Sequence, residues 1–255
     1  MYYEEITKIS AAAQAKSSFL RAGKGKYIVS SSLAGMYVGF GILLIFTIGG
    51  LLAQEQSPVV KIVMGLSFGI ALSLVIMAGA ELFTGNHMVM TIGQLEKKVT
   101  ASEALAIYSY SFAGNLIGSV LLAGIFAYSG LLSGSTEAFI VKTAQMKMAL
   151  PWDQLILRGI LCNTLVCLAT WCCFTMKEET GKLIMVFWCL FAFITTGFEH
   201  SVANMTLLVT ALFAPDGVGV SLIGFVYNLT WVTVGNFIGG TMAVAFPYWY
   251  ISKKN

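Results

Sequence analysis

Charge is what this chain lacks most. Asp, Glu, Lys and Arg make up 11% of its 255 residues, and 57% are hydrophobic, whereas about a quarter of a soluble domain is charged. So few charges cannot cover a water-facing surface, and a mean hydropathy of +0.81 agrees. The class to test is therefore a membrane protein. A net charge of only +3, with no basic cluster carrying interleaved aromatics, excludes a nucleic-acid partner. Histidine is down to two residues. The five cysteines (Cys162, Cys167, Cys172, Cys173 and Cys189) lie in apolar stretches without C-x-x-C spacing. They read as small apolar fillers, with a metal site or disulfide framework as the lesser alternative. No cofactor is expected. Four prolines and 26 glycines exclude low complexity and fit close helix packing in lipid. The first 27 residues hold no apolar core of the signal-peptide type, only Tyr2, Ile6 and Ile9 among lysines. They predict an amphipathic interfacial helix at residues 1–27.

What is present is long apolar runs. A crossing needs about 20 such residues, and six stretches qualify: Ile28 to Ala53, Ile62 to Leu95, Ala104 to Leu132, Leu155 to Met176, Leu183 to Ala214 and Val220 to Phe246. Eleven of the fifteen Lys and Arg fall on one side of this pattern, including Lys8, Lys16, Arg21, Lys97, Lys98, Lys177, Lys182, Lys253 and Lys254. Both termini are thus expected in the cytoplasm. The loop from Ser133 to Asp153, with Lys142 and Lys147, is expected to face outward.

Two of the six stretches are too long for one straight crossing, and both are interrupted. The second reads IMAGAELFTGNHMVM, with Gly79, Glu81, Thr84, Gly85 and Asn86 at its middle. The fifth reads TTGFEHSVANM, with Gly197, Glu199, His200, Ser201 and Asn204. Non-helical backbone at that depth survives only when buried in protein or lining a cavity, so the breaks mark a pathway. They hold equivalent places in the two halves, 28–132 and 155–246. Span three carries AGNLIGSVLLA and span six VGNFIGGTMAVA, aligning Asn115 with Asn236 and Gly118 with Gly239. By itself G-N-x-I-G could be mere helix packing; with the paired breaks it argues duplication. Three crossings per half invert the second copy. The expectation is one all-α integral membrane domain, residues 1–255, of six helices in two inverted repeats, the second and fifth helices broken.

The run from Ile76 to Gly85 resembles the first signature of the formate/nitrite transporter family at each defined position. Gly159 to Ala169 (GILCNTLVCLA) resembles the second except at Thr164, and Gly197 to Ser201 (GFEHS) gives a third match. The resemblance covers essentially the whole chain. It implies an aquaporin-like protomer in a homopentamer, one pore per protomer, in a bacterial inner membrane. True aquaporins carry Asn-Pro-Ala at each half-helix, and no Asn-Pro occurs here.

A buried imidazole such as His200 is neutral at rest and can offer a hydrogen bond or a proton to an anion beside it. Thr84 can donate its hydroxyl without adding a charge that traps the anion. The resemblance implies that the two face each other at the pore centre. Glu81 and Glu199 suit an anion pathway poorly, so they read as structural: each accepts backbone N–H groups of its own break or pairs with a neighbouring helix. Asn163 and Asn204 are expected to hold the His200 ring and the break loops. By resemblance, Lys147 lines an outer vestibule, and Phe68, Leu72, Leu82, Val166 and Phe193 form apolar constrictions around the centre. Such a collar excludes hydrated ions and favours small monovalent weak-acid anions. Resemblance ranks hydrosulfide first, then nitrite, then formate. An obligate proton–anion symporter is the alternative to a channel. A membrane enzyme using Glu199 and His200 finds no paired metal ligands and no nucleophile–base motif.

Overall fold

The computed structural model describes residues 1–215 and 217–253; Lys254, counted above, lies outside them. All regular structure among the described residues is helical: α1 (Tyr3–Ala22), α2 (Lys24–Gln54), α3 (Val60–Ser67), α4 (Ile70–Met77), α5 (Phe83–Leu95), α6 (Ala101–Tyr128), α7 (Gly134–Met148), α8 (Trp152–Thr175), α9 (Glu179–Thr196), α10 (Ser201–Leu212), α11 (Leu222–Ile238), a π-helical turn (Gly239–Ala245) and α12 (Phe246–Ser252). Among the described residues six spans are long and apolar enough to cross a membrane: Lys24–Gln54, Val60–Met77, Ala101–Tyr128, Trp152–Thr175, Glu179–Thr196 and Leu222–Ser252. This is a multi-pass membrane protein of two inverted three-helix repeats.

The second and fifth crossings stop where the sequence places the breaks. Gly79 and Gly197 adopt φ of 74° and 81°, the left-handed conformation that glycine enters without a steric cost and that ends helices. Each stop is closed in the same way. Ala80 N–H donates to Val75 O and Phe198 N–H to Phe193 O, both at 3.0 Å.

The backbone beyond each stop is then caught by the repeated asparagine. Asn115 donates to Ser31 O (2.7 Å) and Glu81 O (2.9 Å) and accepts from Phe83 N–H (2.9 Å). Asn236 donates to Gly159 O and Glu199 O and accepts from Ser201 N–H, all at 2.9 Å. Lipid supplies no partners for these groups, so the two side chains do what water would do elsewhere. The glycines of the same motif let helices touch: a Cβ on Gly118 would lie 1.9 Å from Ser32 O, and one on Gly239 2.4 Å from Ile160 O. Bracing and packing thus share one motif, once per half.

Four local features depart from the sequence expectation. The supposed outer loop is mostly helix α7, which buries Thr136, Ile140, Val141 and Ala144 along one face. Its polar residues disguise it, because it packs on protein and not on lipid. The N-terminal helix buries Ile6, Ile9, Ala13, Ser17 and Leu20, and lies on α5 and α2 instead of resting its apolar face in lipid. The next helix starts at Lys24, earlier than Ile28. The sixth crossing is not uniform but passes through the π turn. α6 begins with a capping box, Thr100 with Glu103, and Ser17 and Arg21 of α1 also bond the Glu103 carboxylate at 2.8 and 2.6 Å.

Candidate functional site: a central slot between two vestibules

His200 is the N-cap of α10, and its Nδ1 accepts the Ala203 N–H at 3.1 Å. With the Nδ1 lone pair engaged, the neutral ring carries its proton on Nε2. That Nε2 lies 3.0 Å from Oγ1 of Thr84, in the first turn of α5. So His200 donates to Thr84, and the Thr84 hydroxyl hydrogen is left to point elsewhere. The hydroxyl bonds across the gap between the halves. His200 lies nearly parallel to the Phe193 ring, 5.9 Å between centroids.

Three cavities follow one another past this point, sharing wall residues. The first, of about 600 Å³, lies on the α1 side and is lined by Lys16, Glu81, Asn86, Thr170 and Lys182, with Leu72 and Leu82 at its end. The second, of about 350 Å³, lies on the α7 side and is lined by Lys61, Lys147, Asn204 and, at its end, Phe193 and His200. Between them is a slot of about 10 Å³, walled by Val38, Phe68, Ala71, Leu72, Leu82, Val166, Leu190, Phe193 and His200. The five apolar residues expected as constrictions are all in that wall. Phe68 and Phe193 meet edge to face at 5.5 Å. The slot has room for one water-sized body, and its wall is hydrocarbon except at His200, behind which stands Thr84.

The carboxylates are neutralised. Glu81 takes Lys16 Nζ at 2.7 and 2.8 Å and Tyr27 OH at 2.8 Å. Glu199 takes Lys147 Nζ at 2.7 Å and Asn204 Nδ2 at 2.7 Å. Of the two expected modes it is pairing with a neighbouring helix that occurs, and not reception of backbone N–H groups. The backbone N–H groups of Glu81 and Glu199 donate away instead, to Ser30 O and Arg158 O. Each carboxylate therefore holds a helix from outside the six spans against a break.

Neither asparagine expected at the His200 ring makes a hydrogen bond to it among the described residues. The ring needs none, since its two nitrogens are taken up by Ala203 and Thr84. Asn204 spans Glu199 and Asn228 Oδ1, at 2.7 and 2.8 Å. Asn163 holds the Thr84 and Asn236 carbonyls, at 3.2 and 2.7 Å. It also approaches His87, which sequence reasoning left unassigned.

Lys16, Asn86 and Tyr27 were missed as well. A signal existed for the first two. Lys16 falls beside Ala13, Ser17 and Leu20, on the buried stripe of α1, where a solvated lysine has no place. Asn86 follows Glu81 at the spacing by which Asn204 follows Glu199.

Comparison with known proteins places this geometry. The model of the family described as "Formate/nitrite transporter" matches residues 3–250. The "Nitrite transporter NirC" of Salmonella typhimurium is 41% identical over 257 residues, covering 100% of this chain and 94% of its own. A solved structure described as "FNT family ion channel" superposes with a TM-score of 0.92 at 40% identity, over 98% of this chain and 99% of that one. A "Pentameric formate channel with formate bound" gives 0.80 at 27% identity, over 92% and 99%. These are transporters and channels, not enzymes. The chain belongs to the formate/nitrite transporter family.

Proposed function

We propose that this protein passes small monovalent weak-acid anions through the slot, with Thr84 and His200 as its polar centre. The observation that carries this reading is the Thr84–His200 hydrogen bond of 3.0 Å, set behind an apolar collar between two vestibules. Lys16 and Lys182 line one vestibule, and Lys61 and Lys147 the other. Lys16, Lys147 and Lys182 pair with Glu81, Glu199 and Glu179, which removes the carboxylates' repulsion from both mouths, and Lys61 adds attraction for anions at the second. The slot strips the hydration shell, which strongly hydrated ions do not surrender. A bare anion then meets the edge of the His200 ring, the polar part of the slot wall, whose orientation is held by Thr84 behind it. A weak acid has the further option of picking up a proton and crossing the collar neutral, which avoids the cost of a charge in hydrocarbon.

Among candidate anions we place nitrite first, because a relative 41% identical over the whole of this chain is named for nitrite. Hydrosulfide, ranked first on resemblance, and formate share its size and weak-acid chemistry. The name of the structural neighbour supports a homopentamer. The lysine distribution supports an orientation with residues 1–27 and the α1 vestibule on the cytoplasmic side, the bacterial relatives support an inner membrane, and the paired breaks support 28–132 and 155–246 as the two halves of one membrane unit.

The test is proteoliposome flux of nitrite, hydrosulfide and formate side by side, repeated with His200→Asn and Thr84→Ala. Both variants are expected to lose most of the flux. Parent-like flux in both would discard the centre. Reversal potentials at varied pH separate a channel, which follows the anion gradient alone, from an obligate proton symporter.

A further inference from the structure

Behind Thr84, on the side away from the slot, one amide faces more acceptors than it can serve. Asn163 Nδ2 carries two hydrogens. Three acceptors lie within reach: Asn236 O at 2.7 Å, His87 Nδ1 at 3.1 Å and Thr84 O at 3.2 Å. The nearest, Asn236 O, takes one hydrogen. The other is contested between His87 and Thr84. Turning the amide over is no escape, because Oδ1 would then face two carbonyl oxygens. As it stands, Oδ1 has no hydrogen-bond partner.

The surroundings are built for this junction. His87 is 1% exposed, enclosed by the rings of Phe83, Tyr108 and Phe237 at 4.5, 5.4 and 5.4 Å. Cys167 Sγ sits 3.6 Å from Thr84 O and is the only other side-chain donor to it among the described residues. The π turn brings Gly240 against all of them. A Cβ there would lie 2.8 Å from Asn163 Nδ2, 2.8 Å from His87 Cβ and 3.0 Å from Cys167 Sγ. The other half has no such junction. Gly35 holds the place of Asn163, and a Cβ on it would come within 2.1 Å of Asn115 O.

We propose that His87 is a positioning residue for Thr84, acting through Asn163. When the His87 proton is on Nε2, Nδ1 accepts the contested hydrogen and Thr84 O is left to Cys167. When the proton is on Nδ1, the ring cannot accept, and Asn163 serves Thr84 O. The tautomer of an imidazole outside the slot thereby sets the first turn of α5, and with it the distance from the Thr84 hydroxyl to His200. This inference rests on Thr84 and His200 being the pore centre.

Two measurements test it. The first is nitrogen-15 NMR of histidine-labelled protein in lipid, where two histidines give separable signals assigned with His87→Phe and His200→Asn. Cys167→Ala removes the rival donor to Thr84 O, so it should draw the Asn163 hydrogen to Thr84 and move His87 toward the Nδ1–H tautomer. An unchanged tautomer ratio overturns the proposal, and this measurement stands even where a His87 variant fails to assemble. The second is nitrite flux. His87→Phe fills the aromatic cage without an acceptor, and His87→Asn restores an acceptor near the place of Nδ1. The first should lower flux roughly tenfold, and the second should stay within about threefold of the parent, the scale set by sub-ångström misplacement of a functional group. Parent-like flux in His87→Phe, or equal loss in both, overturns it. If His200→Asn and Thr84→Ala lose flux while His87→Phe does not, the pore centre stands and only the His87 role falls.

Discussion

Glu81 and Glu199 stand at the same point of their breaks. Each has an asparagine five residues on that donates back to it, Asn86 at 3.5 Å and Asn204 at 2.7 Å. Each pairs with a lysine from a helix outside the six spans, Lys16 of α1 and Lys147 of α7. Asn115 and Asn236 brace the backbone that follows. The residue next to the glutamate then differs: Leu82 in the first break, His200 in the second, both in the wall of one slot. Two places further on, Thr84 faces Val202 in the alignment, and Asn163 has Gly35 as its counterpart. What repeats is the support of the break. What differs is the chemistry. The repeats supply two equal scaffolds, and a few unequal residues set Thr84 against His200 where they meet.

The largest expected effect strikes the carboxylate that the comparison makes most buried. Glu199 is 2% exposed and Lys147 19%, against 14% and 21% for Glu81 and Lys16. Stranding a buried charge costs about 3–5 kcal/mol, so Lys147→Ala should lower the unfolding temperature of the detergent-solubilised protein strongly, and Lys16→Ala less. Equal losses would mean that exposure does not separate the halves.

Next come the braces. Asn115→Ala and Asn236→Ala each leave one N–H and one carbonyl of the break without its side-chain partner, since Ser31 O and Gly159 O lie within helices; a neutral buried group left unpaired costs about 1–3 kcal/mol, less than a stranded charge. Thermal unfolding should respond alike to the two, and an asymmetric pair would break the equivalence of the repeats.

His200→Leu makes the second break resemble the first. Nitrite flux should fall on the order of a hundredfold, equivalent to ~2.7 kcal/mol of barrier, and loss of the α10 cap should cost about 1 kcal/mol of stability. Liposome assays read the first and unfolding the second.

Gly240→Ala should cost about 1–3 kcal/mol by overpacking the Asn163–His87 junction, whereas Gly25→Ala, with nothing within 4 Å of its Cβ position, should cost nothing measurable. The smallest effect belongs to Arg21→Ala. Its side chain is 66% exposed beside Glu103, and pairs of this kind contribute less than about 1 kcal/mol.

The spans and both breaks were legible because lipid leaves few choices. Apolar runs must cross, and a glycine–glutamate interruption at mid-run must be braced from inside the protein. That Thr84 would meet His200, and that the five collar residues would share one wall, was expected from resemblance in the motifs around them. Asn163 and Asn204 were expected at the His200 ring, and they bond backbone carbonyls, Glu199 and Asn228 instead. A sequence gives the spacing of an amide, not which of several buried carbonyls its helix faces. α7 was hidden because its charges argue for water while one face argues for packing, and only the partner helices decide. The π turn leaves no mark in GGTMAVA. His87 was visible as one of two histidines, yet which side of α5 it occupies depends on where the break ends.

The slot between the vestibules has a bearing on energy conservation. Protons travel quickly along unbroken files of hydrogen-bonded water. A space of about 10 Å³ admits a single water at most, and the hydrocarbon around it gives that molecule few neighbours to bond. The file is cut at mid-membrane. In the conduit proposed above, water alone carries no protons through the slot, and a proton crosses only on a weak acid that has taken one up.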